Sequence, residues 1–354
     1  MRTHIILATI LLCSLGQTTL AQEPTLDKGN DPPPVYPQTP PPSGITPLPP
    51  TRQRKDSIPA NADYRITALQ QDYTGYLWIA SWLGLTRINP NTGRIVSRIS
   101  LSNYTLGALA QDKQGRIWVG TYEGLLRVDP RSNEVTEQNF TLPSNRILSL
   151  LIDKRGFLWV GSDRGLAMIS PDQGLIMTTI EELPGVSANT MILDQENNLW
   201  VGTLEGLVKI DPATGYIMNR IGRIPGTNVQ ALAIDRQGKL WVGTSNSLLV
   251  IDPETRQILR SVTPLRRRSV SSIRFAQDNT VWVGTESGLL KLNPYNGAVL
   301  GRVNNLPSDK IMSLAADTGD KLWVGTSEGL AWVSLKTGLA KPHLDFIKNL
   351  PESY

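Results

Sequence analysis

Short runs that alternate apolar and polar residues, such as "ITALQQD" and "VQALAID", recur along this chain. Each is followed within a few residues by a continuous apolar run, "LWVGT" or a close variant. Alternation with a period of two predicts a strand with one face toward a core, and consecutive apolar positions predict a strand buried on both faces. A turn then leads to a third run, "GLLRVDP" or "GLVKIDP", and another turn to a weaker alternating run such as "GRIVSRIS" or "GYIMNRIG". Each unit therefore reads as four strands of about five residues joined by short turns, with the polar fourth strand at an outer rim.

The units align on tryptophan, at Trp78, Trp118, Trp159, Trp200, Trp241, Trp282 and Trp323, spaced 40 residues once and 41 thereafter. Seven copies of a four-stranded unit with a period near 40 predict an all-β, seven-bladed β-propeller of four antiparallel strands per blade, over residues 63–354. Each copy begins with an inner strand, and "LAKPHLDFIKNLPESY" aligns with the last strand of the others. The ring is thus expected to close by packing blade seven on blade one with no shared strand, residues 55–62 being a candidate extra edge.

The repeated letters read as architecture. Six residues before each Trp stand Asp72, Asp112, Asp153, Asp194, Asp235, Ala276 and Asp317; three before stand Gly75, Gly115, Gly156, Asn197, Gly238, Asn279 and Asp320. Gly, Asn and Asp tolerate a left-handed backbone, so each "DxxG" predicts the tight turn between the first two strands, its Asp bonding turn N–H groups. A calcium reading of the Asp series lacks the alternating acidic spacing of calcium loops. Each indole would bury ~150–250 Å², worth several kcal/mol at ~25 cal/mol/Å² as an upper figure, which makes the seven Trp wedges between blades. The Gly two residues after most of them, Gly120 for example, leaves room for a close neighbour, copy one having Ala80 there.

The N-terminal part differs in kind. "MRTHIILATILLCSLGQTTLAQ" has a basic start, a short apolar run and small residues at Thr19 and Ala21, which predicts a signal peptide over residues 1–21. The apolar run falls short of the ~20 residues of a membrane span, so cleavage is expected over an uncleaved anchor. Residues 22–62, with "DPPPVYPQTPPPSGITPLPP", form a Pro-rich spacer of extended character without means to bury a core. Cys13 is the only cysteine and leaves with the signal, which excludes thiol chemistry and Cys-based metal sites from the mature protein. A net charge of +4 spread over 354 residues argues against nucleic acid. No later run is long and apolar enough for a transmembrane helix, so a periplasmic or secreted protein is expected.

The pattern D-x-x-G-x-L-W-V-G-T-x-x-G-L-x-x-x-D-P-x-T-G resembles the two-component-regulator propeller repeat, and the resemblance covers residues 63–354. It implies an extracytoplasmic, sensor-type propeller that binds a ligand. Such propellers are often joined to a membrane-spanning kinase; no kinase, response-regulator or DNA-binding sequence is found here, so phosphotransfer is not expected of this chain, and a separate membrane sensor kinase becomes a candidate partner. The repeat is also similar to that of streptogramin lyases, which read "WFTE" where this chain reads "WVGT". That chemistry implies a histidine base near the axis, and the sequence offers only His4, in the signal, and His343.

Function is expected where the copies differ, in the loops after the second and fourth strands, which open on one face of a propeller. These supply the candidate ligand-binding residues Trp82, Tyr104, Tyr122, Glu123, Asp163, Arg164, Glu205 and Arg267. Trp82, Tyr104 and Tyr122, from adjacent copies, suggest an aromatic patch, and Arg266, Arg267 and Arg268 a grip for an anion. Rings, amides and both charges suit a polar ligand such as a saccharide. No catalytic residues, cofactor or metal are assigned; Glu123 or Asp163 with Glu205 would be the carboxylates of a glycosidase reading. The expectation is a non-catalytic ligand-binding module, the alternative an interaction scaffold for an envelope protein, and a lyase or glycosidase the third reading.

Overall fold

The computed structural model describes residues 63–347 apart from 139, 317 and 318. The expected signal peptide, the Pro-rich spacer with its candidate edge at 55–62, residues 348–354 and Asp317 lie outside the described residues. The described chain forms seven four-stranded antiparallel sheets, each made of four strands consecutive in sequence. In blade one these are Ile66–Gln71, Leu77–Ser81, Gly84–Ile88 and Ile95–Ile99, from the channel outward. Trp78 lies opposite Gln70 on the innermost strand and Arg87 on the third. The second strands are buried along their whole length, as in Leu77–Ser81 and Leu199–Thr203. The outermost strands are exposed, but not uniformly polar as the sequence pattern suggested: Leu175, Met177, Met218, Leu259 and Leu300 stand in solvent there.

Seven apolar clusters hold the ring, and each contains one of the seven indoles packed against residues of the next blade. The glycine after the indole makes this approach possible: a Cβ on Gly120 would come 2.5 Å from Ile147 Cγ2 on the following blade. The seam between blades seven and one uses the same device. Trp323 and Phe346 pack with Ile66, Leu69, Leu77 and Ile79. Ser313 Oγ donates to Ile66 O at 3.0 Å, and Lys321 Nζ donates to Pro90 O at 2.8 Å and Asn91 O at 2.9 Å. Among the described residues no strand is shared between the two blades.

The turn between the first two strands has one design throughout. The residue three before the indole is left-handed in every blade, from Gly75 at φ +84° to Asp320 at +60°. In blade one Asp72 Oδ1 accepts from Thr74 N at 2.9 Å and Tyr76 N at 3.0 Å, while Oδ2 accepts from Trp78 Nε1 at 3.1 Å. One carboxylate therefore closes the turn and satisfies a buried indole. The same indole bond recurs from Trp118, Trp159, Trp200 and Trp241 at 2.8–3.2 Å. Blade six departs: Ala276 has no side-chain acceptor to offer, Asp278 Oδ1 caps Thr280 N at 3.0 Å instead, and Trp282 Nε1 is buried without a partner among the described residues.

Candidate functional site

The two variable loop sets meet on one face, and main-chain bonds tie them. Tyr122 N donates to Thr105 O at 3.0 Å, Ser245 N to Asn228 O at 3.0 Å and Ser327 N to Lys310 O at 3.0 Å. Below each second-strand loop, the Thr or Ser that ends the strand clamps the turn; Thr121 Oγ1, for example, donates to Gly124 O and accepts from Glu123 N. The face is thus a ring of short, braced loops on a rigid base, which is a suitable ground for a preorganised site.

The loops of blades one to three carry several of the expected residues, Trp82 with Tyr64, and Tyr122 with Arg146 and Asp163. The Trp82 ring lies 5.3 Å from that of Tyr64, and its indole N–H is buried with no partner among the described residues. Tyr122 is 42% exposed, with the Arg146 guanidinium 4.6 Å from its ring centroid. Asp163 N reaches Arg146 O at 3.4 Å, and the buried Asp163 Oδ1 has no partner among the described residues. Arg65 joins from blade one. Its bond to Asp63 raises the guanidinium pKa against partial burial, and the Tyr122 phenol, within electrostatic reach, adds to the rise. Arg164 is exposed beside Asp163. A stacking ring, flanking guanidinium groups and a carboxylate can hold a ligand that has both an apolar face and hydroxyl or acidic groups.

Other candidates are placed elsewhere or are already engaged. Tyr104 packs against the cluster between blades one and two, with its hydroxyl 3.5 Å from Glu137 Oε1. Among the described residues no ring contact joins Tyr104 to Trp82 or Tyr122, so the three do not stack into one aromatic patch. Glu123 Oε2 accepts from Thr105 N at 2.8 Å, a brace between the two loop sets. Glu205 stands exposed on blade four, and no bond joins it to Asp163 or Glu123 among the described residues. Arg267, left-handed at φ +60°, donates its N–H to Asn246 O at 2.7 Å and belongs to the seam of blades five and six, round the ring from these loops. Its neighbour Arg268 reaches Ser287 Oγ at 3.2 Å. Asn189, one of the loop amides, spends its Nδ2 on Asn228 Oδ1 and Val229 O of the next blade. His343 is engaged at the outer seam of blades seven and one: its N donates to Leu330 O at 2.8 Å, its Nε2 lies 2.8 Å from Gly93 O, and its ring packs on Phe346.

Sequence reasoning did not single out Arg146, Tyr64 or Arg65. Arg146 was visible as a loop residue; its place over Tyr122 depends on the curvature of the ring, which spacing does not give.

Three segments, residues 100–123, 141–164 and 223–246, match the sequence model of the family described as two component regulator propeller. Each runs from a loop after a fourth strand through the inner strand and turn to the next second-strand loop, so the match covers that part of the repeat in three places along the chain. No curated protein matches the chain in sequence. Among solved structures, the extracellular domain of a putative hybrid two-component system from B. thetaiotaomicron is 21% identical at a TM-score of 0.62, over 75% of this chain and 39% of that one. A second such domain from B. thetaiotaomicron is 18% identical at a TM-score of 0.52, over 78% and 46%. Virginiamycin B lyase from Staphylococcus aureus is 16% identical at a TM-score of 0.63, over 75% and 93%. These likenesses are of fold, and the chain spans less than half of either sensor domain. Among the described residues no helix is long and apolar enough to cross a membrane.

Proposed function

We propose that this chain is an exported, sensor-type ligand-binding propeller without chemistry of its own, and that its loop face takes a polar ligand such as a saccharide. The observation that carries this reading is the loop set of blades one to three, where Tyr122 lies under Arg146 and Trp82 beside Tyr64, on loops tied by main-chain bonds. The repeat type and the likeness in fold to extracellular sensor domains support it. The engagement of His343 at the outer seam weighs against a lyase-type base on this face. A separate membrane sensor kinase is the partner that would read the bound state. Thermal-shift screening of the protein against a glycan panel should give hits that Trp82→Ala with Tyr122→Ala abolishes; hits untouched by that pair of changes would remove these loops from consideration.

A second reading, a scaffold for an envelope protein, draws on the outermost strands. Their outer edges are unpaired among the described residues and present Leu175, Met177 and Leu259 to solvent, which suits edge-on docking. Pull-down from envelope extract with Leu175→Lys plus Leu259→Lys, and separately without residues 22–62, would tell whether the rim or the spacer holds a partner.

A further inference from the structure

The channel along the ring axis holds about 700 Å³ and is lined by the innermost strands. Its wall is mostly uncharged, with Leu109, Leu150, Met191 and Leu232 at equivalent positions. Arg274 breaks the pattern. It stands eight residues before Trp282, where five of the other blades carry Ala110, Leu151, Ile192, Ala233 and Ala315 and blade one carries Gln70. Two main-chain carbonyls fix its guanidinium: Nε donates to Leu314 O at 3.1 Å and Nη1 to Ile273 O at 3.3 Å. The side chain is open to the channel yet enclosed by the blades, and that enclosure lowers its pKa from the ordinary arginine value. An arginine remains charged there.

Two more cations, Lys113 and Lys154, line the channel toward the turn side, the end away from the variable loops, and Arg236 holds the equivalent turn position in blade five. Lys113, Lys154 and Arg236 each lie five residues before an indole, and each reaches across a seam to a carbonyl. Lys113 Nζ donates to Arg155 O at 2.8 Å, Lys154 Nζ to Gln195 O at 3.2 Å and Arg236 Nη2 to Gln277 O at 2.7 Å. A carbonyl positions a cation without neutralising it, and each group keeps further N–H donors. The nearby acids are engaged. Asp112 and Asp153 hold their turns, their indoles and Arg116 or Arg155; Asp278 faces Lys291 at 3.6 Å.

We propose that the turn-side half of the channel binds a small polyvalent oxyanion, carboxylate or phosphate, with Arg274 inside and Lys113 and Lys154 at the lip. Three positive charges held at fixed places on the channel wall focus their field on one ligand-sized volume. The site is distinct from the loop face and stands or falls without it. The test is calorimetric titration of the full chain with inorganic pyrophosphate and, separately, citrate, at low and at physiological salt. Saturable binding that weakens with salt is expected, lowered about tenfold or more by Arg274→Gln and by Lys154→Gln. Arg98→Gln, which removes one positive charge from the outer rim, should leave it unchanged. Binding of both probes supports an oxyanion site in general, and binding of one assigns phosphate or carboxylate chemistry. No saturable binding of either, or equal weakening by Arg98→Gln, overturns the proposal. If Arg274→Gln fails to fold, Lys154→Gln and Lys113→Gln decide the matter.

Discussion

Blade six offers a test of the carboxylate that joins turn and indole. Among the described residues five blades supply an Asp acceptor to the buried indole N–H at 2.8–3.2 Å, whereas Trp282, 1% exposed, has none there. Ala276→Asp would place the missing acceptor, and Lys291, whose Nζ is 5.4 Å from the Trp282 ring centroid, stands ready to face it. A hydrogen bond to a charged acceptor contributes about 1.5–3 kcal/mol. Burial of the new carboxylate takes back part of this, and the turn gains little because Asp278 already caps Thr280. The net gain should be about 1–2 kcal/mol. With an unfolding entropy of about 2.1 cal/mol/K per residue, a domain of this size shifts its Tm by about 2 °C per kcal/mol, so a rise of about 2–4 °C is expected. Differential scanning calorimetry would read it, and Ala276→Asn, a neutral acceptor, should gain less. The reverse change, Asp112→Ala, removes the acceptor of Trp118 Nε1 and of Arg116 Nε, while Arg116 keeps Asp172, and should lower the Tm by about 5 °C or more. A Tm that is unchanged or lower in Ala276→Asp would refute the view that the unpaired indole is a cost which this carboxylate relieves.

Other perturbations probe the seams and the pH response. Gly202→Val should destabilise by about 1–3 kcal/mol in urea unfolding, because even a Cβ at Gly202 would lie 2.5 Å from Val229 Cγ1 on the next blade. His343→Ala removes the bond to Gly93 and should speed amide exchange at the seam of blades seven and one more than at blade four; equal effects would count against a local role. Burial pushes the Asp72 pKa up, but Thr74, the Tyr76 N–H and Arg87 outweigh it and hold the carboxyl below its ordinary value. A depressed folded pKa means stability that is present above the unfolded value and is lost as pH falls through the folded one. The urea midpoint should therefore drop below about pH 4, with a shallower drop in Asp72→Asn.

Much of the fold was legible because it rests on local rules. A left-handed turn position announces itself as Gly, Asn or Asp, and a strand buried on both faces announces itself as "LWV". The indole bond was not legible. Asp72 and Trp78 are six residues apart on either side of a hairpin, and only the turn geometry shows that one carboxylate serves both. The candidate site was legible as a face and not as a set of side chains. Tyr122 and Glu123 are chain neighbours in a variable loop, yet Tyr122 is presented to solvent while Glu123 is spent on Thr105 N. Whether a polar group meets a ligand or a neighbouring loop depends on side-chain torsions and on how the blades face one another, neither of which a spacing encodes. The channel cations were hidden for the opposite reason: Lys113, Lys154 and Arg274 sit inside or beside inner strands, where the repeat invites a structural reading.

That no strand is shared between blades seven and one among the described residues bears on heredity. Every blade is written as one uninterrupted stretch of sequence, so an in-frame copying or loss of 41 codons adds or removes a whole wedge with both of its packing faces intact. Such a ring can be lengthened or shortened by the simplest of genetic accidents, with the curvature at each seam as the only quantity left to adjust.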